Sequence, residues 1–208
     1  MKIFIIILFL ITVNSTGDYT NSSFLNKVEK KYNRFAKNRF VALNSLLKKL
    51  ENTSTNKKLQ KVNDFFNAVR YKSDKSIYGV SDYWATLSEF LAKDKGDCED
   101  YVIAKYFALK ELGIPVSKMF LSYVRLQKSS EAHMVLSYYE TPSSEPLILD
   151  NIRRIIYPAS KRNDLKLIFN FNPNILRNGS KTAAHRKWDK LLENHREKKI
   201  WLYLNKFL

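Results

Sequence analysis

The only cysteine of the chain, Cys98, lies in a strongly acidic stretch. In the segment GDCED, Asp97 precedes the thiol, and Glu99 and Asp100 follow it directly. Negative neighbours raise the pKa of a thiol, so this environment opposes the thiolate that a nucleophile needs. A lone cysteine is most often a buried apolar residue. If Cys98 is instead a nucleophile, something else must offset the carboxylates.

A cysteine nucleophile needs a general base and an acidic group that orients the base. The segment HMVLSYYE begins at His133, and EPLILDN carries Asp150 near its end, with TPSS between the two. If both segments are strands, a hairpin brings His133 to within one or two residues of Asp150. The sequence therefore predicts a constellation of Cys98, His133 and Asp150, although each residue alone is weak evidence.

The segment that follows Asp97 is predicted to be the helix that positions the thiol. Asp97 can cap its start, and Gly113 followed by Pro115 ends it. Cys98 then falls in the first turn, where backbone N–H groups and the helix dipole favour a thiolate. The buried face of this helix is predicted to hold Val102, Tyr106, Leu109 and Leu112.

A short antiparallel sheet is predicted after this helix. Residues 119–126, 133–140 and 145–151 are rich in apolar and aromatic residues and are separated by polar turns. Upstream, helical periodicity predicts helices over 23–50 and 57–71, and a short third helix over 83–93. The basic tail after residue 180 is predicted to be a helix docked on the domain, although its lysines and arginines could also engage an acidic receptor or lipid headgroups.

The overall charge is strongly positive, at +16 with a pI near 9.8. Such a balance usually indicates nucleic acid or an anionic surface as partner. Residues 1–17, however, resemble an export signal: Lys2 precedes the eleven-residue apolar run 3–13, which is shorter than the about 20 residues of a membrane span. We therefore expect an exported protein with no nucleic-acid partner and no stable membrane span after signal cleavage. A buried N-terminal element or an uncleaved anchor is the alternative.

Several motifs resemble one family in type and in order. They are VNDFFN, DYWAT, GDCEDYVIAKYFALKELGIP, AHMVLSYY, PLILDN, and YPAS followed by DL, running from about Leu59 to Phe171. On these motifs the chain resembles the bacterial transglutaminase-like cysteine peptidases of the LapG type, which are periplasmic proteases. Two departures are Leu87, where the family has proline after WAT, and Tyr78, where it usually has tryptophan.

The resemblance implies an α+β fold of the papain-like or transglutaminase-like kind, with a catalytic helix packed on an antiparallel sheet. Residues 18–75 would form an N-terminal helical lobe, and residues 76–208 the catalytic core with its basic C-terminal helix. The implied triad is Cys98, His133 and Asp150. The implied substrate is a large surface adhesin, cleaved near its N-terminus to release the cell from a biofilm. An inner-membrane cyclic-di-GMP receptor would act as the inhibitor.

The resemblance also implies calcium dependence, with ligands at Asp97 and Glu99. Carboxylates are hard oxygen ligands of the type that Ca²⁺ prefers, and a bound dication would reverse the field that opposes the thiolate. Asp100, by its charge, and Asp82, by its place in DYWAT, are added as further candidate ligands. Alternatively, the acids beside Cys98 only complement the helix N-terminus.

The favoured function is therefore that of an exported, calcium-dependent cysteine endopeptidase. Acyl transfer to an amine, as in true transglutaminases, would use the same triad. A non-catalytic basic envelope protein that binds an anionic partner is the alternative from another class.

Overall fold

A computed structural model describes residues 21–129, 131–175 and 182–204 of the 208-residue chain, with side chains described as far as residue 194. The export signal predicted at residues 1–17 lies outside the described residues. Within the described ranges, no helix combines the length and the apolar character that crossing a bilayer requires.

Three helices form the N-terminal part: α1 (Ser22–Lys31), α2 (Arg34–Leu50) and α3 (Thr55–Phe66). The prediction of one continuous helix over 23–50 is wrong. Asn33 interrupts it, because its side chain accepts a hydrogen bond from the Ala36 N–H at 2.9 Å and so caps a new helix. The helix predicted over 57–71 ends earlier, at Phe66.

A two-stranded parallel ladder precedes the cysteine. Strand β1 (Arg70–Tyr71) pairs with β2 (Lys95–Gly96). Between them lie α4 (Asp74–Tyr78) and α5 (Leu87–Lys93), and α5 begins with a reciprocal capping box between Thr86 and Glu89. The helix predicted over 83–93 is thus confirmed for its second part, whereas β1, β2 and α4 were not predicted.

The central helix α6 (Cys98–Glu111) is confirmed at both ends. Asp97 is its N-cap residue, and the chain leaves it through Gly113, whose φ of +82° suits glycine. The predicted face, Val102, Tyr106, Leu109 and Leu112, is buried in the main core. Helix α6 packs against a strand of the sheet and against α3 and α5.

The sheet has five antiparallel strands in the order β6-β5-β4-β3-β7. These strands are β3 (Met119–Leu126), β4 (Ala132–Tyr138), β5 (Leu147–Leu149), β6 (Tyr157–Pro158) and β7 (Leu165–Phe171). The three predicted strands are present, with β5 shorter than expected. The two edge strands, β6 and β7, were not predicted.

The C-terminal helix α7 (Ala183–Leu204) docks on the domain. Trp188 is its buried anchor: its ring stacks on Phe107 with centroids 5.4 Å apart and meets the edge of Tyr106 at 5.1 Å. The predicted helical tail is therefore confirmed, and the chain has an α+β fold of helices packed on an antiparallel sheet.

Candidate active site

His133 and Asp150 are brought together by the pairing of β4 with β5. Leu136 pairs with Leu149 in this register, which places Asp150 two residues from the position opposite His133. The two side chains are buried, and Nε2 of His133 lies 2.8 Å from Oδ1 of Asp150. Because Asp150 engages Nε2, the other ring nitrogen, Nδ1, is the one that can serve a thiol.

Asp150 is fixed by more than the histidine. Its Oδ1 accepts a hydrogen bond from the Ile152 N–H at 3.0 Å, and its Oδ2 accepts one from Nη2 of Arg162 at 2.6 Å. Burial raises the pKa of Asp150, but the hydrogen bonds and charges of His133 and Arg162 outweigh it and hold this pKa well below its usual value. Asp150 therefore stays ionised and can stabilise a charged imidazole.

Two supporting residues were missed by sequence reasoning. Arg162 is buried against Asp150 and also donates to Asp164, and Nδ2 of Asn67 donates to the carbonyl of Asp150 at 2.7 Å. Arg162 follows another basic residue, Lys161, in SKRND, and no local pattern distinguishes the two. Asn67 belongs to the quoted VNDFFN motif, which was the only available signal.

Cys98 lies half-buried in the first turn of α6, with Sγ donating to Oε2 of Glu99 at 3.2 Å. Burial raises the pKa of the thiol, and the charges of Glu99 and Asp97 raise it further. The backbone N–H of Met134 acts in the opposite direction. Because Met134 follows His133 directly in β4, this contact places the sulfur beside the strand that carries the imidazole.

Carboxylates surround this turn in two overlapping sets. Oxygens of Asp74, Asp97 and Asp100 lie within 4.8 Å of one another, and so do oxygens of Asp74, Asp82 and Glu99. The four predicted ligands are thus all present in these sets. Asp74, which belongs to both, was missed because it stands alone in YKSDKS, outside any acidic run.

Two oxygens in these sets are buried without a partner among the described residues. Oδ2 of Asp74 accepts the Tyr83 N–H at 2.5 Å, and Oδ2 of Asp97 accepts the Asp74 N–H at 3.1 Å, whereas Oδ1 of each has no hydrogen-bond partner. Unsatisfied buried oxygens need an explanation, and a bound cation supplies one. The donor set of hard carboxylate oxygens fits a divalent cation such as Ca²⁺.

The raised pKa values of these carboxylates also favour a bound cation. Burial raises the pKa of Asp97 to about 7, with Glu99 adding to the effect, and burial also raises the pKa of Asp74 to about 6. Unlike Asp74 and Asp97, Asp100 has no unpartnered oxygen. Its two oxygens accept backbone hydrogen bonds from Ala85 at 2.8 Å and from Asp97 at 3.3 Å. Asp82 lies at the surface, where Lys187 donates to its Oδ2.

Comparison with known proteins identifies relatives of this arrangement. The family model described as bacterial transglutaminase-like cysteine proteinase (BTLCP) matches residues 28–165. The solved structure of Legionella pneumophila LapG is 38% identical with a TM-score of 0.70, and the match covers 82% of this chain and 96% of that chain.

Two further structures of the same Legionella pneumophila protein also match. The EGTA-treated form is 38% identical with a TM-score of 0.69, over 82% of this chain and 96% of that one. The calcium-bound form is 37% identical with a TM-score of 0.70, over 82% and 97%. No curated protein sequence matches the chain.

Proposed function

The chain belongs to the bacterial transglutaminase-like cysteine proteinases, and on that premise we propose that Cys98, His133 and Asp150 hydrolyse a peptide bond as a triad. The observation that carries this assignment is the buried 2.8 Å contact between Asp150 and His133, which lies on β4, the strand beside the thiol of α6. The family is one of cysteine proteinases, so the chain is a hydrolase and its nucleophile must be its single cysteine.

In the proposed reaction, Nδ1 of His133 takes the thiol proton and Sγ of Cys98 attacks the substrate carbonyl. Asp150 holds Nε2 and stabilises the imidazolium, while Arg162 keeps Asp150 ionised and in place. His133 then gives the proton to the leaving amine, and water hydrolyses the acyl-enzyme. Backbone N–H groups at the start of α6 are the candidate donors to the oxyanion.

We propose that Ca²⁺ binds at the carboxylates beside Cys98, as the calcium-bound relative suggests. Asp74 and Asp97 would hold it through their unpartnered oxygens, with Glu99, Asp82 and Asp100 as the further candidate ligands. When bound, the dication supplies positive charge that offsets the carboxylates opposing the thiolate. This chain's own contribution is to hold those oxygens in fixed positions on α4, α6 and the loop between α4 and α5.

The finer functional assignment is also a proposal. We propose that the protein acts in the periplasm after removal of residues 1–17, and that residues 18–75 form a helical lobe beside a catalytic core of residues 76–208. Its substrate would be the N-terminal region of a large adhesin, whose release promotes biofilm detachment. An inner-membrane cyclic-di-GMP receptor would restrain the enzyme. The apolar run after Lys2 supports the export signal, helical periodicity supports the lobe, and the resemblance to LapG-type proteases supports the substrate and the receptor.

The proposed function is tested with the chain lacking residues 1–17 and the N-terminal region of a large adhesin from the same organism. Wild type with Ca²⁺ should yield a discrete fragment, and removing one triad group should slow cleavage by about 10²-fold or more. Cys98→Ala and His133→Ala are the variants, and Lys110→Ala, an exposed position on α6, is the matched control. Cleavage by Cys98→Ala at the wild-type rate would contradict the assignment.

Two controls separate the alternatives. New termini in the products identify hydrolysis, whereas crosslinked products in the presence of an added amine identify acyl transfer. EDTA should abolish cleavage, and restoring Ca²⁺ but not Mg²⁺ should recover it, because the site offers several carboxylates rather than a small octahedral cage. Full activity in EDTA would remove calcium from the proposal and leave the triad untouched.

A further inference from the structure

An ion pair joins the C-terminal helix to the carboxylates beside the active site. Nζ of Lys187, in the second turn of α7, donates to Oδ2 of Asp82. Asp82 is also one of three residues whose oxygens lie within 4.8 Å of one another, together with Asp74 and Glu99. The ammonium group is therefore already bound to a member of the proposed cation site.

Lys187 lies beside two tryptophans, Trp84 and Trp188. Its ammonium lies 5.7 Å from the centre of the Trp84 ring, and Trp188, the next residue, is buried against Tyr106 and Phe107. The charge of Lys187 also acts on Asp74, the residue that both carboxylate sets share. Burial raises the pKa of Asp74, whereas the charge of Lys187 lowers it. The docking of α7 thus delivers one positive charge to a site that would otherwise attract a cation strongly.

Lys187 lies outside the part of the chain that the family model matches. The matched region ends at residue 165, and α7 begins at Ala183. A cavity of about 240 Å³ separates the helix from the loop that carries Asp82, and it is lined by Asp82, Tyr83, Trp84, Lys187, Lys190 and Leu191. Lys187 therefore has room to leave Asp82 without undocking Trp188.

We propose that Lys187 is an internal competitor for the divalent cation, so that docking of α7 sets the calcium affinity of the site. A cation held by the Asp82 carboxylate must compete with the ammonium group of Lys187, and by linkage a bound ammonium lowers the affinity for the cation. The inference rests on the proposed calcium site and extends it by naming the residue that tunes it.

The test is isothermal titration of Ca²⁺ into the chain lacking residues 1–17. Lys187→Gln removes the competitor, and Lys190→Gln removes the same charge one turn away, from an exposed lysine that lines the same cavity. Because the side chains of Lys187 and Asp82 are 42% and 45% exposed, the pair is weak, and Lys187→Gln should tighten binding by about two- to fivefold. Lys190→Gln should change the affinity by less than about 1.5-fold, since exposed charges without a direct contact are screened.

A double-mutant cycle separates direct competition from a general charge effect. In an Asp82→Asn background, Lys187→Gln should no longer tighten binding, because the carboxylate for which the two cations compete is absent. Equal affinities for wild type and Lys187→Gln, or equal gains from Lys187→Gln and Lys190→Gln, would overturn the competition and leave the proposed function standing. Absence of calcium binding in all the proteins would overturn the calcium site and the competition together, while Cys98-dependent cleavage would still test the triad.

Discussion

At the scale of single residues, the candidate active site depends on how Asp150 is held. His133, Asp150 and Cys98 were predicted from strand ends and a helix cap, because hairpin pairing and helix capping are local rules that a sequence displays. Arg162 was not predicted, because its role comes from a contact across the turn after β6. Long-range partners of a buried charge leave no local pattern, and the same reason explains why Asp74 was missed.

Replacing Arg162 by methionine should strongly destabilise the protein. The side chain of Arg162 is 1% exposed and that of Asp150 is fully buried, so the substitution leaves the buried carboxylate without its guanidinium partner, at a cost of about 3–5 kcal/mol. Arg153→Met is the matched control, since that side chain is 51% exposed and lies 3.6 Å from Asp164. It should cost no more than about 1 kcal/mol. Urea denaturation of both variants measures the difference, and similar losses would contradict the role given to Arg162.

The pH dependence of this effect has a definite sign. The folded-state pKa of Asp150 lies below its unfolded value of about 3.9. Its contribution to stability is therefore fully present above that value and is lost as the pH falls through the folded pKa. Arg162→Met raises the folded pKa, so the penalty of the substitution should be largest near neutral pH and should shrink below about pH 4. A penalty that grew on acidification would contradict this account.

Lys105 should be destabilising in the wild type. It lies on α6 with no exposed surface, and its Nζ has no hydrogen-bond partner among the described residues. Burial lowers its pKa to about 7 from an ordinary value of 10.5, although Asp150 and Asp64 act against the shift. Lys105→Met should therefore increase the free energy of unfolding, by up to about 4 kcal/mol at pH 7 or below.

The gain from Lys105→Met should disappear as the pH rises. Between about pH 7 and pH 10.5 the folded state holds fewer protons on Lys105 than the unfolded state, so wild-type stability increases with pH and approaches that of the variant. Lys110→Met, at an exposed position on the same helix, should change stability by no more than about 0.5 kcal/mol. Thermal unfolding of the three proteins across this range measures the trend, and a gain independent of pH would show that burial does not lower the pKa of Lys105.

At the scale of elements, the sequence predicted long periodic segments better than short ones. Helix α6 is delimited by Asp97 and Gly113, which are strong local signals, and both ends were correct. Strands β1 and β2 have two residues each, too few for any period to show. Strand β7 was missed because its exposed Leu167 and Ile168 interrupt the alternation expected of an edge strand. The small ladder nevertheless positions the active site, since β2 leads directly into Asp97 and Cys98.

Gly96 is the point at which this ladder meets the acidic cluster. A Cβ at Gly96 would lie 2.5 Å from Oδ2 of Asp100 and 2.5 Å from the buried ring of Phe90. Gly96→Ala should therefore displace Asp100 and cost about 1–3 kcal/mol through overpacking. We also expect the variant to lose calcium affinity and proteolytic activity, because the start of α6 moves with Asp100.

Gly113→Ala provides the matched control at the other end of α6. Apart from the chain neighbours, no atom of the described residues lies within 4 Å of a Cβ there, but the φ of +82° makes the substitution cost roughly 1–2 kcal/mol. The two variants should thus be comparably destabilised in thermal unfolding, whereas only Gly96→Ala should lose calcium affinity measured by titration. Loss of affinity in both would mean that general destabilisation, and not the position of Asp100, controls the site.

At the scale of the whole molecule, calcium should act as a folding ligand. The oxygens that would hold it come from α4, from the loop before α5 and from the start of α6, which are separated along the chain and meet only in the folded protein. A ligand that binds only the folded state stabilises it by about 2.7 kcal/mol at a concentration 100 times its Kd. Adding Ca²⁺ should therefore raise the Tm by several degrees, whereas an equal ionic strength of NaCl should not.

Asp74 decides whether this stabilisation comes from the proposed site or from the net charge of the protein. The net charge of the chain is +16, which favours bound anions over bound cations. A rise in Tm that is specific to Ca²⁺ must therefore come from a local cluster of carboxylates. Asp74 belongs to both carboxylate sets, so Asp74→Asn should remove most of the rise. Asp189→Asn removes one carboxylate from α7, outside both sets, and this variant should keep the calcium-dependent rise in Tm. A calcium-dependent rise that survives in Asp74→Asn would place the cation elsewhere, and Glu99 and Asp97 would then have to be explained as partners of the α6 N-terminus alone.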